Sequence, residues 1–402
     1  MRNFVTPIAL ILLATSGLGA QTTAPRARDL GVPFDGTPGP LNAITDVVGV
    51  EVGHVTLIEG SGPLVRGVGP VRTGVTAILP RGHEGDDEVF AAWFTLNGNG
   101  EMTGTTWVEE SGFLGGPVMI TNTHSVGVVH SAAVEYAVSR GKAFAWSLPV
   151  VAETWDGGLN DINGFHVKKE HAFGAIENAR GGPVVEGAVG GGTGMQCHEF
   201  KGGIGSASRR LTIDGETMTV GVLVQCNYGL RRQLRIAGIP AGAELREPSV
   251  CYRGAPPTGA SDPSCSDPGG NREREEHGSI IVVVATDAPV LPHQLKRIVK
   301  RAALGIGRMG GVGGNSSGDI FIAFSTQLPE GGRPGAVQRV GMLPNERITP
   351  LFEATIQATE EAILNAMVAA KDMVGADDLY VPGLPHDRVR ELLRQYGRAV
   401  NR

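Results

Sequence analysis

The chain has no surplus of positive charge: 35 Lys and Arg stand against 41 Asp and Glu in 402 residues, a formal net charge of -6. That balance argues against a general affinity for nucleic acid or for anionic membranes. Long apolar runs are missing too, and nothing approaches the ~20 consecutive apolar residues that a membrane-spanning helix needs. Metal-ligand spacing is equally absent. His124 and His130 lie six apart, which fits neither a helical i, i+4 pair nor a zinc pattern. His166, His171 and His198 have no carboxylate or thiol partner at a recognisable spacing. No metal and no other cofactor is expected. No glycine loop closes on Gly-Lys-Ser/Thr, so a P-loop is excluded. No nucleophile elbow of the α/β-hydrolase kind is recognised.

Glycine is what the chain holds in excess. Its 60 glycines follow no three-residue period, which excludes a collagen-like chain and calls for tight turns and close backbone approaches. Hydrophobic residues make up 41%, enough for a sizeable core in one large domain or two ordinary ones. Arg2, the apolar run from Ile8 to Ala14 and the small residues Leu18-Gly19-Ala20 read as a signal peptide over residues 1–20. A buried N-terminal helix is the alternative. The expected mature protein is exported, periplasmic or secreted, and free of the membrane. An exported chain can keep disulfides. Cys251 and Cys265 bracket a polar stretch and are candidates for a local bridge, whereas Cys197 and Cys226 fit plain buried thiols.

Short Val/Ile/Leu runs parted by glycine predict strands within 44–81, over 89–96, 118–121, 148–153, 211–213 and 218–226. Helical patterns cover 130–139 and 169–178. From 251 to 278 the composition turns to Pro, Gly, Ser and charge, the mark of a mobile surface linker. Ser279 to Thr286 then forms an uninterrupted apolar strand of the fully buried kind. A helix over 292–303 stopped by Gly305, a strand over 320–325, a long helix from Thr349 to near Gly375 and a last helix over 387–396 complete the pattern.

Four places carry candidate chemistry. At His277-Gly278-Ser279 a charged linker gives way to a core strand headed by a hydroxyl. Cutting the Gly278–Ser279 bond would give Ser279 an α-amine, whose ordinary pKa of about 7.7–8.0 lets it take the proton of its own hydroxyl. Gly278 lacks Cβ and lets that bond bend. The plain alternative is a polar residue starting a strand. Gly313 to Asp319 sets Ser317 and Asp319 in a glycine-rich loop, where Asp319 would orient Ser317 and Ser317 the amine of Ser279; an anion-binding turn is the alternative. Asn227 ends a buried strand, where its amide would donate to an oxyanion or merely cap a turn. Glu153 and Trp155 place a carboxylate beside an aromatic wall, suited to a substrate ammonium or to a solvated turn.

These segments occur together with Leu96-Asn97-Gly98-Asn99-Gly100, Asn122-Thr123-His124-Ser125, Gly190-Gly191-Gly192-Thr193-Gly194 and Lys201-Gly202-Gly203-Ile204-Gly205. From about residue 27 onward the ordered set resembles the L-aminopeptidase D-esterase/D-aminopeptidase and β-peptidyl aminopeptidase family, the DmpA and BapA type. The resemblance implies an α/β fold, a four-layer αββα sandwich like that of N-terminal nucleophile hydrolases with different connectivity. It implies self-cleavage before Ser279 into an α chain (21–278) and a β chain (279–402), assembled as a tetramer of αβ units. It also places the nucleophile on Ser279, its partners on Ser317 and Asp319, the oxyanion donor on Asn227 and the amine-binding carboxylate on Glu153. The implied substrates are short peptides, amides or esters with a free amine. An acyltransferase like the ornithine acetyltransferases is the rival enzyme, disfavoured by the serine and the export signal. A periplasmic binding protein that has lost the chemistry is the rival without catalysis.

Overall fold

Runs of β-branched residues seal both faces of a strand, and glycines between them let the chain turn sharply. The computed structural model describes residues 24–85, 87–141, 147–267, 278–327 and 337–400. The signal peptide assigned to 1–20 and the charged run through His277 lie outside them. In chain order the strands begin with β1 (Glu51–Glu59), β2 (Val71–Leu79), β3 (Val89–Thr95), β4 (Phe113–Leu114), β5 (Val118–Asn122) and β6 (Val150–Thr154). A short hairpin of β7 (Gln196–Cys197) and β8 (Phe200–Lys201) precedes the long pair β9 (Gly203–Ile213) and β10 (Glu216–Asn227). After β11 (Cys251–Tyr252) come β12 (Ser279–Thr286), β13 (Ile320–Ser325), β14 (Met373–Val374) and β15 (Leu379–Val381). The helices used below are α1 (Val126–Ser139), α2 (Lys169–Glu177), α3 (Pro292–Val299), α4 (Ala302–Arg308) and α5 (Thr349–Ala369).

One sheet has the order β1-β2-β5-β6 and the other β4-β3-β13-β12-β10-β9. Between them Ile78, Ile120 and Ala152 meet Leu223, Ile281, Val283 and Ile322 in a single apolar layer. Outside the first sheet, α1 and α2 pack Val129, Ala132, Ala172 and Ile176 on Val75, Ala77 and Met119. Outside the second, α3, α4 and α5 cover Val222, Val224, Ile280 and Val282. The order is αββα, as the resemblance implied.

β12 lies at the centre of the larger sheet, antiparallel to β10 and parallel to β13. Strand side chains alternate between faces. Ile280, Val282 and Val284 point to the helices, and Ile281, Val283 and Ala285 point between the sheets. Ser279 shares the parity of the second set and so opens onto the cleft between the sheets. Ile280 to Ala285 are all fully buried, and each Ile or Val side chain contributes roughly 1.5–3 kcal/mol by leaving water. The nucleophile candidate is thus fixed to a fully buried strand inside the larger sheet.

Four expectations change. Gly305 does not stop a helix. It sits inside α4, where a Cβ would come within 2.6 Å of Thr359 Cβ on α5, and the chain turns at Lys300–Arg301 instead. The helix from Thr349 ends at Ala369, because Ala370 is extended (φ -80, ψ 135) and leads into β14. Cys197 and Cys226 are not free thiols but a disulfide, with Cα atoms 5.6 Å apart. The β7–β8 hairpin brings them together by folding back on the end of β10, where the His198 N–H donates to the Tyr228 carbonyl at 2.8 Å. The stretch from 251 is tied down at its start: β11 pairs with β15, and the candidate bridge between Cys251 and Cys265 is a disulfide that closes a flap. Residues 268–277 of the expected linker lie outside the described residues.

Candidate active site

Ser279 faces Asn227, the last residue of β10, directly across the antiparallel ladder. On its other side the Gly318 N–H, just ahead of β13, points at both Ser279 Oγ (3.2 Å) and the Gly278 carbonyl oxygen (3.3 Å). Both glycines are fitted tightly. A Cβ on Gly278 would lie 2.1 Å from the Asn227 carbonyl oxygen, and one on Gly318 would lie 2.4 Å from that of Asn99.

The loop before β13 is held from the β3 side. Asn97 Nδ2 donates to the Gly314 carbonyl at 3.0 Å, Asn97 Oδ1 accepts the Asp319 N–H at 2.6 Å, and Asn99 Nδ2 donates to the Ser316 carbonyl at 2.8 Å. Residues 314–318 also spell Gly-x-Ser-x-Gly. They run into a strand rather than from a strand into a helix, so they form no nucleophile elbow. Ser317 and Asp319 are fully buried, and the Ser317 hydroxyl donates to Asp319 Oδ1 at 2.6 Å.

Asn227 is oriented at both ends of its carboxamide. Oδ1 accepts the Gln196 N–H at 2.8 Å, and Nδ2 donates to the Trp155 carbonyl at 2.9 Å. Glu153, near the end of β6, is only 3% exposed. Its Oε1 accepts the Glu101 N–H at 2.9 Å and its Oε2 the Thr123 hydroxyl. Burial pushes the Glu153 carboxyl above the ordinary range, and the two donors oppose that rise in part. Trp155 stays half-exposed, its ring laid against Gly157, where a Cβ would come within 2.5 Å of the indole.

Glu153, Trp155, Asn227, Gly278 and Ser279 line one cavity of about 1160 Å³. Ser317 and Asp319 do not line it; both are buried on either side of Gly318 in the chain, and Ser316 takes the place at the wall. The structure therefore brings a hydroxyl, a buried carboxylate, an aromatic face and an oriented amide to one opening. Among the described residues no group of three or more His, Cys, Asp or Glu is gathered to hold a metal.

The peptidase S58 family model matches residues 42–381. The chain belongs to peptidase family S58. It is 56% identical over 397 residues to β-peptidyl aminopeptidase BapA of Sphingosinicella microcystinivorans, covering 98% of both chains. It is 45% identical to BapA of Sphingosinicella xenopeptidilytica over 96% of each. Among solved structures it is similar to the L-aminopeptidase D-Ala-esterase/amidase of Ochrobactrum anthropi, described as a prototype for the serine aminopeptidases and a variant of the Ntn hydrolase fold. That match has a TM-score of 0.82 and 47% identity, and covers 94% of this chain and all of the other. A Burkholderia β-aminopeptidase matches with a TM-score of 0.80 and 47% identity, over 92% of this chain and 99% of the other. The S58 chain is a serine peptidase on this N-terminal nucleophile type of fold.

Sequence reasoning missed several of the peptidase's pocket residues. Tyr252 and Asp262 of the disulfide-closed flap line the cavity, as does Asp377. The flap read as linker because its short strand needs a partner more than a hundred residues away, on β15. Thr123, which holds Glu153, sat in a motif noted only for its resemblance, and the Glu101 N–H that holds it too is backbone. Gln196 acts through its backbone, which no side-chain pattern reports.

Proposed function

We propose that the S58 peptidase cuts itself between Gly278 and Ser279 and then removes N-terminal residues from short peptides, amides or esters, including those headed by β-amino acids. The observation that carries this reading is the single cavity shared by Ser279, Asn227 and Glu153. For self-cleavage, Ser279 Oγ attacks the Gly278 carbonyl carbon and the C–N bond breaks, leaving an ester. As that bond breaks, the hydroxyl proton passes to the departing nitrogen and frees the Ser279 amine; water then hydrolyses the ester, releasing the Gly278 carboxylate and restoring the Ser279 hydroxyl. The Gly318 N–H, already 3.3 Å from that carbonyl oxygen, supports the shift by taking up negative charge there.

In the mature enzyme, Glu153 holds the substrate ammonium and the Trp155 face walls it in. Ser279 Oγ attacks the substrate carbonyl and gives its proton to its own α-amine. The second Nδ2 hydrogen of Asn227 serves the oxyanion. The α-ammonium returns the proton to the leaving amine, and water hydrolyses the acyl-enzyme. Ser317, donating to Asp319, is the group that steers the α-amine. The β-peptidyl aminopeptidase names of two relatives support substrates with the extra methylene. The proposal includes export, with residues 1–20 as signal peptide, and assembly of several αβ units.

Intact-mass measurement of the purified protein tests the central step. Two chains are expected, the smaller starting at Ser279. A single chain that still releases p-nitroaniline from alanyl-p-nitroanilide would remove Ser279 from the mechanism. A panel of L-Ala, D-Ala and β-homo-amino acid amides assigns the preference. Periplasmic fractionation and sedimentation test export and assembly.

A further inference from the structure

Lys201 is fully buried, and its Nζ donates to the carbonyls of Met195 (2.6 Å) and Gly202 (2.9 Å), with the Gly192 carbonyl at 3.5 Å. Three carbonyls match the three protons of an ammonium. A lysine head in such a place is costly unless it is satisfied in this way. Burial draws Lys201 down to about 7, against the pull of the Asp156 carboxylate. Asp156 is itself pushed up to about 6 by burial. Nothing in the acyl-transfer steps above uses this lysine.

Its position suggests what it does. The Met195 carbonyl and the Gln196 N–H belong to one peptide unit, and that N–H is the donor to Asn227 Oδ1. The hydrogen bonds thus run without a break from Lys201 Nζ, through the Met195–Gln196 peptide, to the Asn227 carboxamide. A donor on the oxygen of an amide polarises it and strengthens its own N–H as a donor, so such chains reinforce one another. The same contact sets which end of Asn227 faces which way. A flipped carboxamide would set Nδ2 against the Gln196 N–H and Oδ1 against the Trp155 carbonyl, two like pairs in a buried place. The hairpin is also bolted to β10: the half-cystines Cys197 and Cys226 are chain neighbours of Gln196 and Asn227.

We propose that Lys201 is a positioning residue for the peptidase reaction, fixing and polarising the Asn227 amide through the Met195–Gln196 peptide. The proposal rests on Asn227 as the oxyanion donor, and the test keeps the two apart. Steady-state kinetics on alanyl-p-nitroanilide are measured for the processed fractions of K201M, N227A and the double variant, with thermal midpoints as folding controls. N227A is expected to lower kcat about 10²–10³-fold. K201M removes every donor and is expected to lower kcat about tenfold or more, the scale on which an outer partner orients a reacting group. KM should stay within about twofold, because the contact is used in the transition state. In the N227A background K201M should cost nothing further.

An unchanged kcat in folded K201M overturns the proposal, as does an equal loss with and without Asn227. A normal kcat in N227A overturns the Asn227 assignment itself. K201Q keeps two donors without the charge and is expected to fall between wild type and K201M. If neither Lys201 variant folds while N227A does, the lysine is structural and the proposal fails.

Discussion

Ser279→Ala is expected to yield one uncut chain with no measurable aminopeptidase activity. Both effects have the same cause. The only atom lost is the oxygen that would attack the Gly278 carbonyl in the precursor and the substrate carbonyl in the mature enzyme. Removing the serine of a serine protease lowers kcat about 10⁶-fold, and loss of processing here also leaves the α-amine base locked in a peptide bond. The fold should be almost untouched. Ser279 Oγ accepts one long hydrogen bond, from Gly318 at 3.2 Å, and such a bond is worth about 1 kcal/mol. A denaturing gel, N-terminal sequencing and a melting curve together check the prediction. Two bands from S279A would sink the nucleophile assignment.

Glu153→Gln is expected to raise KM while leaving self-cleavage intact, since the precursor presents no free amine to this carboxylate. Breaking one partner of a buried charge pair costs about 2–5 kcal/mol, so kcat/KM should fall by about 30-fold to a few thousandfold. Glutamine also sets an amide nitrogen against either the Glu101 N–H or the Thr123 hydroxyl, whereas the carboxylate accepts from both. The pH dependence gives an independent check. Because burial raises the Glu153 pKa, its carboxyl takes up a proton at a higher pH than an exposed glutamate does. The negative charge is present at higher pH and is lost as pH falls through that raised value, so kcat/KM should drop early on the acid side. In E153Q that acid limb should vanish. An unchanged limb in the variant would assign it to another group.

The strands that hold the site were the easiest parts to read. Ser279–Thr286 and Ile320–Ser325 were bounded as the structure has them, because each is a short apolar run ending at a polar or glycine-rich turn. The long β9–β10 pair was read only in pieces, since Gly205 there faces α5 and serines bond the 39–46 segment; a Cβ on Gly205 would lie 2.0 Å from the Ala362 carbonyl oxygen. Of the polar side chains that line the pocket, Ser279, Asn227 and Glu153 were named in advance, whereas Tyr252, Asp262 and Asp377 were not. Nor was what surrounds them. The Gly318 and Gln196 N–H groups are backbone, the Cys197–Cys226 link joins residues 29 apart through a hairpin too short to show a period, and the flap wall depends on β15. Sequence patterns report burial well and report long-range backbone contacts hardly at all.

The placement of β12 and β13 has a bearing on what happens after processing. With the proposed cut at Gly278–Ser279, both would belong to the C-terminal fragment, yet they sit between β3 and β10 of the N-terminal one, and β15 grips β11 across the same divide. Neither piece can therefore keep a closed hydrophobic interior by itself. Once the bond is cut, a reaction of one molecule becomes, in reverse, a meeting of two. Denatured material diluted back to native conditions should recover activity in proportion to protein concentration, whereas unprocessed S279A should regain its fold at a rate independent of it.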